Sequence, residues 1–163
     1  VVGKGTGSLD SEIARLEVGD VLRTEDEIGF DGHNADGRKP EVPSGELVDL
    51  YQASDIFAFP SLLETFGKVI IEAMAVPLPV VTTDGPGCRD VVPDESIGLV
   101  AKAGDTEGFA DRLHQLIRKP KLRARLSESA SHYVKRYDWD TVSTAYEETY
   151  RELVAGSRNG RKR

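Results

Sequence analysis

Two carboxylates eight positions apart, Glu64 and Glu72, sit in the stretch of this chain best equipped for chemistry, PSLLETFGKVIIEAMAVPLPVVTT from Pro60 to Thr83. Glu64 precedes a helical pattern that opens at Thr65-Phe66-Gly67. Glu72 falls about two turns into that pattern. The residues around it (Val69, Ile70, Ile71, Ala73, Met74) are apolar nearly all round, the mark of a buried helix, where an acid needs a partner. Free amides and the positive end of the helix dipole face the Glu64 loop, and Gly67 has no side chain to keep a ligand off them. A phosphate can sit at such a helix start, with a carboxylate on either side for hydroxyl groups. The plainer alternative is an i,i+4 pair of Lys68 and Glu72 on a wet face, worth a few tenths of a kcal/mol, with Glu64 an ordinary acid near a helix N-terminus.

The elements that must position these groups alternate. Asp55 to Phe59 (DIFAF) reads as a buried strand, and Val80 to Thr83 as a second, with the helix between them. Asp84-Gly85-Pro86-Gly87 is a loop with little side chain, followed by a helical turn over Cys88 to Val92 and a short strand over Ile97 to Val100. Amphipathic helices over Thr106 to Ile117 and Lys121 to Arg136 are split at Pro120, and Trp139 starts a final helix running to about Val154. Upstream, a helix is expected over Leu9 to Val18, with Leu9, Ile13 and Leu16 on one face and Gly19 as its stop. Ser44 caps another over Gly45 to Ser54, with Leu47, Leu50 and Tyr51 facing inward. Strands alternating with helices predict an α/β fold, a Rossmann-like parallel sheet with helices on both faces. Ligands of such sheets bind beyond the strands' carboxyl ends, where Pro60 to Gly67 and Asp84 to Gly87 both lie. Ile56, Phe57, Phe59, Ile70, Met74, Val80 and Val81 are the expected core.

Taken whole, the phrase SDIFAFPSLLETFGKVIIEAMAVPLPVVTTDGPG resembles the nucleotide-sugar-binding half of the retaining GT-B glycosyltransferases of glycosyltransferase family 4. Glu64 and Glu72 match that family's E-x7-E signature, and strand, loop, helix and strand follow in register over about thirty residues. Pro77 replaces the usual glycine in the helix-to-strand turn, a departure that touches turn geometry rather than chemistry. The resemblance implies one half of a GT-B architecture. In it Glu72 would hold the ribose hydroxyls and Glu64 a hydroxyl of the transferred sugar. The amides of Phe66, Gly67, Lys68 and Val69, with Thr65 beside them, would cradle sugar and diphosphate. His33, just after a Phe30-Asp31-Gly32 strand end, would border the base. Read without the family, His33 is a loop histidine with no second ligand spaced to work with it. The family generally needs no metal and no cofactor, and the residues do not distinguish UDP, GDP or ADP donors.

Composition bounds the rest. The chain has 163 residues, 39% apolar and 30% charged, with a net charge of −7. That length allows one good core, and the charge argues against a nucleic-acid partner. The lone Cys88 excludes an internal disulfide and suits a reducing cytoplasm. The expected localisation is therefore cytoplasmic, with peripheral contact at the inner membrane face left open for a full-length enzyme. Residues 1–155 are expected to form the donor-binding domain and 156–163 a disordered basic tail. Val1 in place of Met reads as a fragment lacking an N-terminal acceptor domain and the upstream Arg and Lys that the family places on the diphosphate. Such a fragment is expected to be inactive alone. Two other classes stay in view. One is a non-catalytic nucleotide-binding domain or a partner-dependent half of a split enzyme. The other is a dinucleotide oxidoreductase resting on Gly3-Lys4-Gly5-Thr6-Gly7-Ser8, a permissive motif with no well-placed acid downstream.

Overall fold

The computed structural model describes residues 9–24 and 44–160. The expectations at Gly3 to Ser8, at His33 and along the 34–43 loop lie outside these residues. The chain divides into two units, Val1–Ala53 and Ser54–Arg163.

In the first unit, α1 (Asp10–Arg15) is shorter than its pattern predicts and buries no residue. It stops before Gly19, because Glu17 turns into the left-handed region at φ 54°. Helix α2 (Gly45–Gln52) begins as expected, the Ser44 hydroxyl accepting from the Leu47 amide at 3.2 Å. Of its three expected inward residues, Tyr51 is buried, Leu47 half-buried and Leu50 exposed.

The second unit is built on a three-stranded sheet, β1 (Phe57–Phe59), β2 (Val80–Thr83) and β3 (Leu99–Ala101), in that spatial order. All pairs are parallel, Phe57 opposite Val80 and Val81 opposite Leu99. Parallel neighbours need a crossover, supplied by α3 (Lys68–Ala75) between β1 and β2 and by α4 (Cys88–Val91) between β2 and β3. Strand β2 is buried at all four residues. It is paired on both sides, and successive side chains point to opposite faces. Towards one face Val81 joins Leu99, Leu116 and Leu126, drawn from α5 (Thr106–Arg118) and α6 (Pro120–Tyr133). On the other, Val80 and the Val92 side chain after α4 close around Gly98, where a Cβ would lie 3.1 Å from Val92 Cγ1. Helices therefore flank the parallel sheet on both faces.

Ile70, Met74, Val80 and Val81 are fully buried. Ile56, Phe57 and Phe59 are only half-buried. Among the described residues β1 has a neighbour on one side alone, and its two phenyl rings stack on each other at 5.9 Å. Buried threonines in β2 are satisfied across the sheet: Thr82 donates to the Phe59 carbonyl at 3.0 Å and Thr83 to that of Ser61. After α6 a 3-10 turn (Val134–Tyr137) leads into α7 (Trp139–Gly160), which continues beyond the end expected near Val154.

Candidate functional site

Three strand ends converge through backbone hydrogen bonds. The loop after β1 is tied to the loop after β2 by the Glu64 amide, which donates to the Pro86 carbonyl at 3.0 Å. The β2 loop is tied to β3 by the Asp84 amide, which donates to Ala101 O at 2.8 Å. The Asp84 carboxylate then accepts from the Ala103 amide at 2.7 Å. Side chains would prevent this closure. A Cβ on Gly85 would stand 2.6 Å from the Leu62 carbonyl oxygen, and one on Gly87 2.3 Å from that of Glu64. Both distances are far inside van der Waals contact, so the Gly-Pro-Gly sequence is what lets the two loops mesh.

Gly67 is the pivot between loop and helix. It sits in the left-handed region (φ 62°, ψ 42°) as the N-cap of α3, a conformation costly for any residue with a side chain. The helix consequently starts at Lys68 rather than at Thr65 to Gly67, and Thr65 and Phe66 belong to the exposed loop. This corrects the register of the site: Glu72 is little more than one turn into α3, about 6 Å along its axis from Lys68, and not two turns. The Ile70 amide bonds back to Gly67 O at 2.9 Å. The Lys68 and Val69 amides belong to the first turn, which has no intrahelical acceptors, and no side chain caps it.

Of the sequence-derived residues, Glu64, Thr65, Phe66, Gly67, Lys68 and Val69 thus form one loop-to-helix junction meshed with Asp84 to Gly87. Glu72 rides on the same helix, half-buried. Glu64 is half-buried too, and its Oε1 accepts from the Ser61 hydroxyl at 2.9 Å. Ser61 is a residue that sequence reasoning missed. The signal was present, a hydroxyl three residues before the acid. Tyr137, in the Tyr137-Asp138-Trp139 segment ahead of the last helix, was not assigned to the site either. Its ring meets Phe66 edge-on at 5.8 Å, and burial, with Tyr133 beside it, pushes its phenol up to about 12. Seventy-one residues of sequence separate that pair, so no local pattern could signal it. Cys88 is buried and free. Among the described residues, no group of three or more His, Cys, Asp or Glu is arranged to hold a metal. No helix there is long and apolar enough to cross a membrane.

The fold is a Rossmann-like α/β half of the GT-B kind, with the loop-to-helix junction at the sheet's carboxyl edge. Residues 39–133 match the family described as glycosyl transferases group 1, and the chain belongs to that family. A D-inositol 3-phosphate glycosyltransferase of Streptomyces bingchenggensis is 32% identical over 97% of this chain and 33% of its own length. A phosphatidyl-myo-inositol mannosyltransferase of Mycobacterium leprae is 34% identical over 96% of this chain and 38% of its own. Among solved structures, HepE of Anabaena in complex with UDP superposes with a TM-score of 0.76 at 22% identity, covering 93% of this chain and 40% of that one. Sucrose-phosphate synthase of Thermosynechococcus elongatus gives 0.74 at 22% identity, covering 92% and 34%. The chain therefore spans 33–40% of the length of these relatives.

Proposed function

We propose that this chain is the donor-binding half of a retaining glycosyltransferase, which holds a nucleotide diphosphate sugar while another part of the enzyme presents the acceptor. The observation that carries the reading is the meshed junction. The Glu64 amide is locked onto Pro86 O, and the left-handed Gly67 opens α3 with no side-chain capping hydrogen bond. When the bond from sugar to diphosphate breaks, negative charge collects on the diphosphate. The diphosphate is already anionic in the donor, and fixed donors at a helix start stabilise the added charge of the breaking bond more than they stabilise the intact donor. In this reading the amides of Phe66, Gly67, Lys68 and Val69 face sugar and diphosphate. The Glu72 carboxylate accepts from the ribose hydroxyls, and the Glu64 carboxylate, steadied by Ser61, accepts from a hydroxyl of the transferred sugar. The acceptor class stays open, although relatives act on inositol phosphates and phosphatidyl-myo-inositol by name.

A thermal-shift panel of UDP, GDP, ADP and their sugars on the 163-residue chain tests this. A ligand that binds only the native state raises the melting temperature, by an amount that grows with concentration over Kd. One nucleotide should stabilise the chain more than the others. UDP comes first in the panel because HepE was solved with it. No shift with any of them at millimolar concentration counts against a donor site in this chain.

A further inference from the structure

The 3-10 turn before α7 reaches back to the junction, and nothing in the donor-site reading accounts for it. Phe66 is 44% exposed and lies next to Gly67, the residue whose left-handed backbone sets where the first amides of α3 point. A glycine does not hold such a conformation by itself, since it populates several regions of backbone space about equally. The ring contact of Phe66 is with Tyr137, edge-on at 5.8 Å and 83°. Tyr137 is in turn braced. Its ring meets Tyr133 at 6.2 Å, and the Arg136 guanidinium lies 4.1 Å over the Tyr133 ring. Its hydroxyl donates to the Asp90 carbonyl on α4 at 3.5 Å, a long bond that guides the ring rather than anchoring it. The helix carrying Asp90 directly follows the loop that meshes with Glu64.

We propose that Tyr137 is a positioning residue of the donor site: its braced ring holds Phe66 and thereby fixes the Gly67–Lys68 peptide that the donor diphosphate meets. The inference rests on the donor-site reading above and names the residue that presets its geometry. It also makes the segment leading into α7 part of the site's support, because Trp139 begins that helix two residues later. Edge-to-face pairing of this kind stabilises one arrangement over others by an amount that corresponds to roughly a two- to tenfold population ratio. Loss of the ring should therefore weaken diphosphate binding by a factor in that range.

The experiment compares the 163-residue chain with Tyr137→Phe and Tyr137→Ala, using amide-resolved NMR and titration with UDP, GDP and ADP. In Tyr137→Ala the Gly67 and Lys68 amide resonances should move while that of Gly104 stays, and nucleotide affinity should fall roughly two- to tenfold. Tyr137→Phe keeps the ring and should restore both, which a purely hydrogen-bonding role for the hydroxyl would not allow. A folded Tyr137→Ala chain with unmoved Gly67 and Lys68 resonances overturns the proposal, as does failure of Tyr137→Phe to restore them. Should Tyr137→Ala not fold, Phe66→Leu removes the same edge contact from the exposed side and must move the same two amides. If the parent binds none of the three nucleotides, the donor-site reading falls, and the ligand-free spectra alone then decide whether Tyr137 holds Phe66.

Discussion

At the scale of single residues, the site depends as much on side chains that are absent as on those present. Gly87 combines a φ of 78° with a phantom Cβ 2.3 Å from the Glu64 carbonyl oxygen. Gly87→Ala must therefore push the two loops apart or strain its own backbone, at a cost of about 1–3 kcal/mol. Chemical denaturation should register that loss, and the Glu64 amide should exchange faster as its bond to Pro86 lengthens. The two acids were legible as a pair because a fixed spacing is a sequence property. The Gly-Pro-Gly loop could be read only as a stretch with little side chain. What makes Gly85 and Gly87 necessary is the approach of Leu62 and Glu64, and a chain read in order does not display approach between segments. Tyr137 escaped for the same reason, whereas Ser61 was within reach as a local hydroxyl.

At the scale of elements, the middle of the chain was legible and its margins less so. Strand β2 falls where its run of Val and Thr placed it, and Pro120 separates α5 from α6 as expected. These are strong local signals: a continuous apolar run for a strand buried on both faces, and a residue that cannot continue a helix. Helix α3 was placed but started too early, since nothing in Thr65-Phe66-Gly67 announces that Gly67 will take a left-handed turn instead of a helical one. Phe57 and Phe59 read as core, but they lie on a strand with one neighbour among the described residues. The same contrast between paired and unpaired surface sorts mutations. Leu116 is fully buried against Val81, Leu99 and Leu126, so Leu116→Ala should cost about 2–5 kcal/mol in urea unfolding. Trp139 is larger but 84% exposed at the head of α7, and Trp139→Ala should change stability by less than about 0.5 kcal/mol. A large loss at Trp139 would mean that α7 has a packing role these contacts do not contain.

At the scale of the whole molecule, the family is shown and the activity is the proposal. The chain spans 33–38% of the relatives that match it along nearly all its length. We expect the purified chain to bind a nucleotide yet transfer no sugar, since in the proposed reading these 163 residues hold the donor and the acceptor is presented from elsewhere in the enzyme. A radiolabelled transfer assay with inositol phosphate and lipid acceptors checks this, and robust transfer by the chain alone would refute it. Calorimetry with nucleotide and with nucleotide sugar separates the roles proposed for Glu72 and Glu64 in dividing the donor between them. Glu72→Ala should weaken nucleotide binding by about 1–3 kcal/mol, through loss of hydrogen bonds to a charged acceptor. Glu64→Ala should leave nucleotide affinity nearly unchanged and weaken only the additional binding contributed by the sugar. If Glu72→Ala binds nucleotide as tightly as the parent, the ribose role is lost and the acid on α3 is no more than a structural charge.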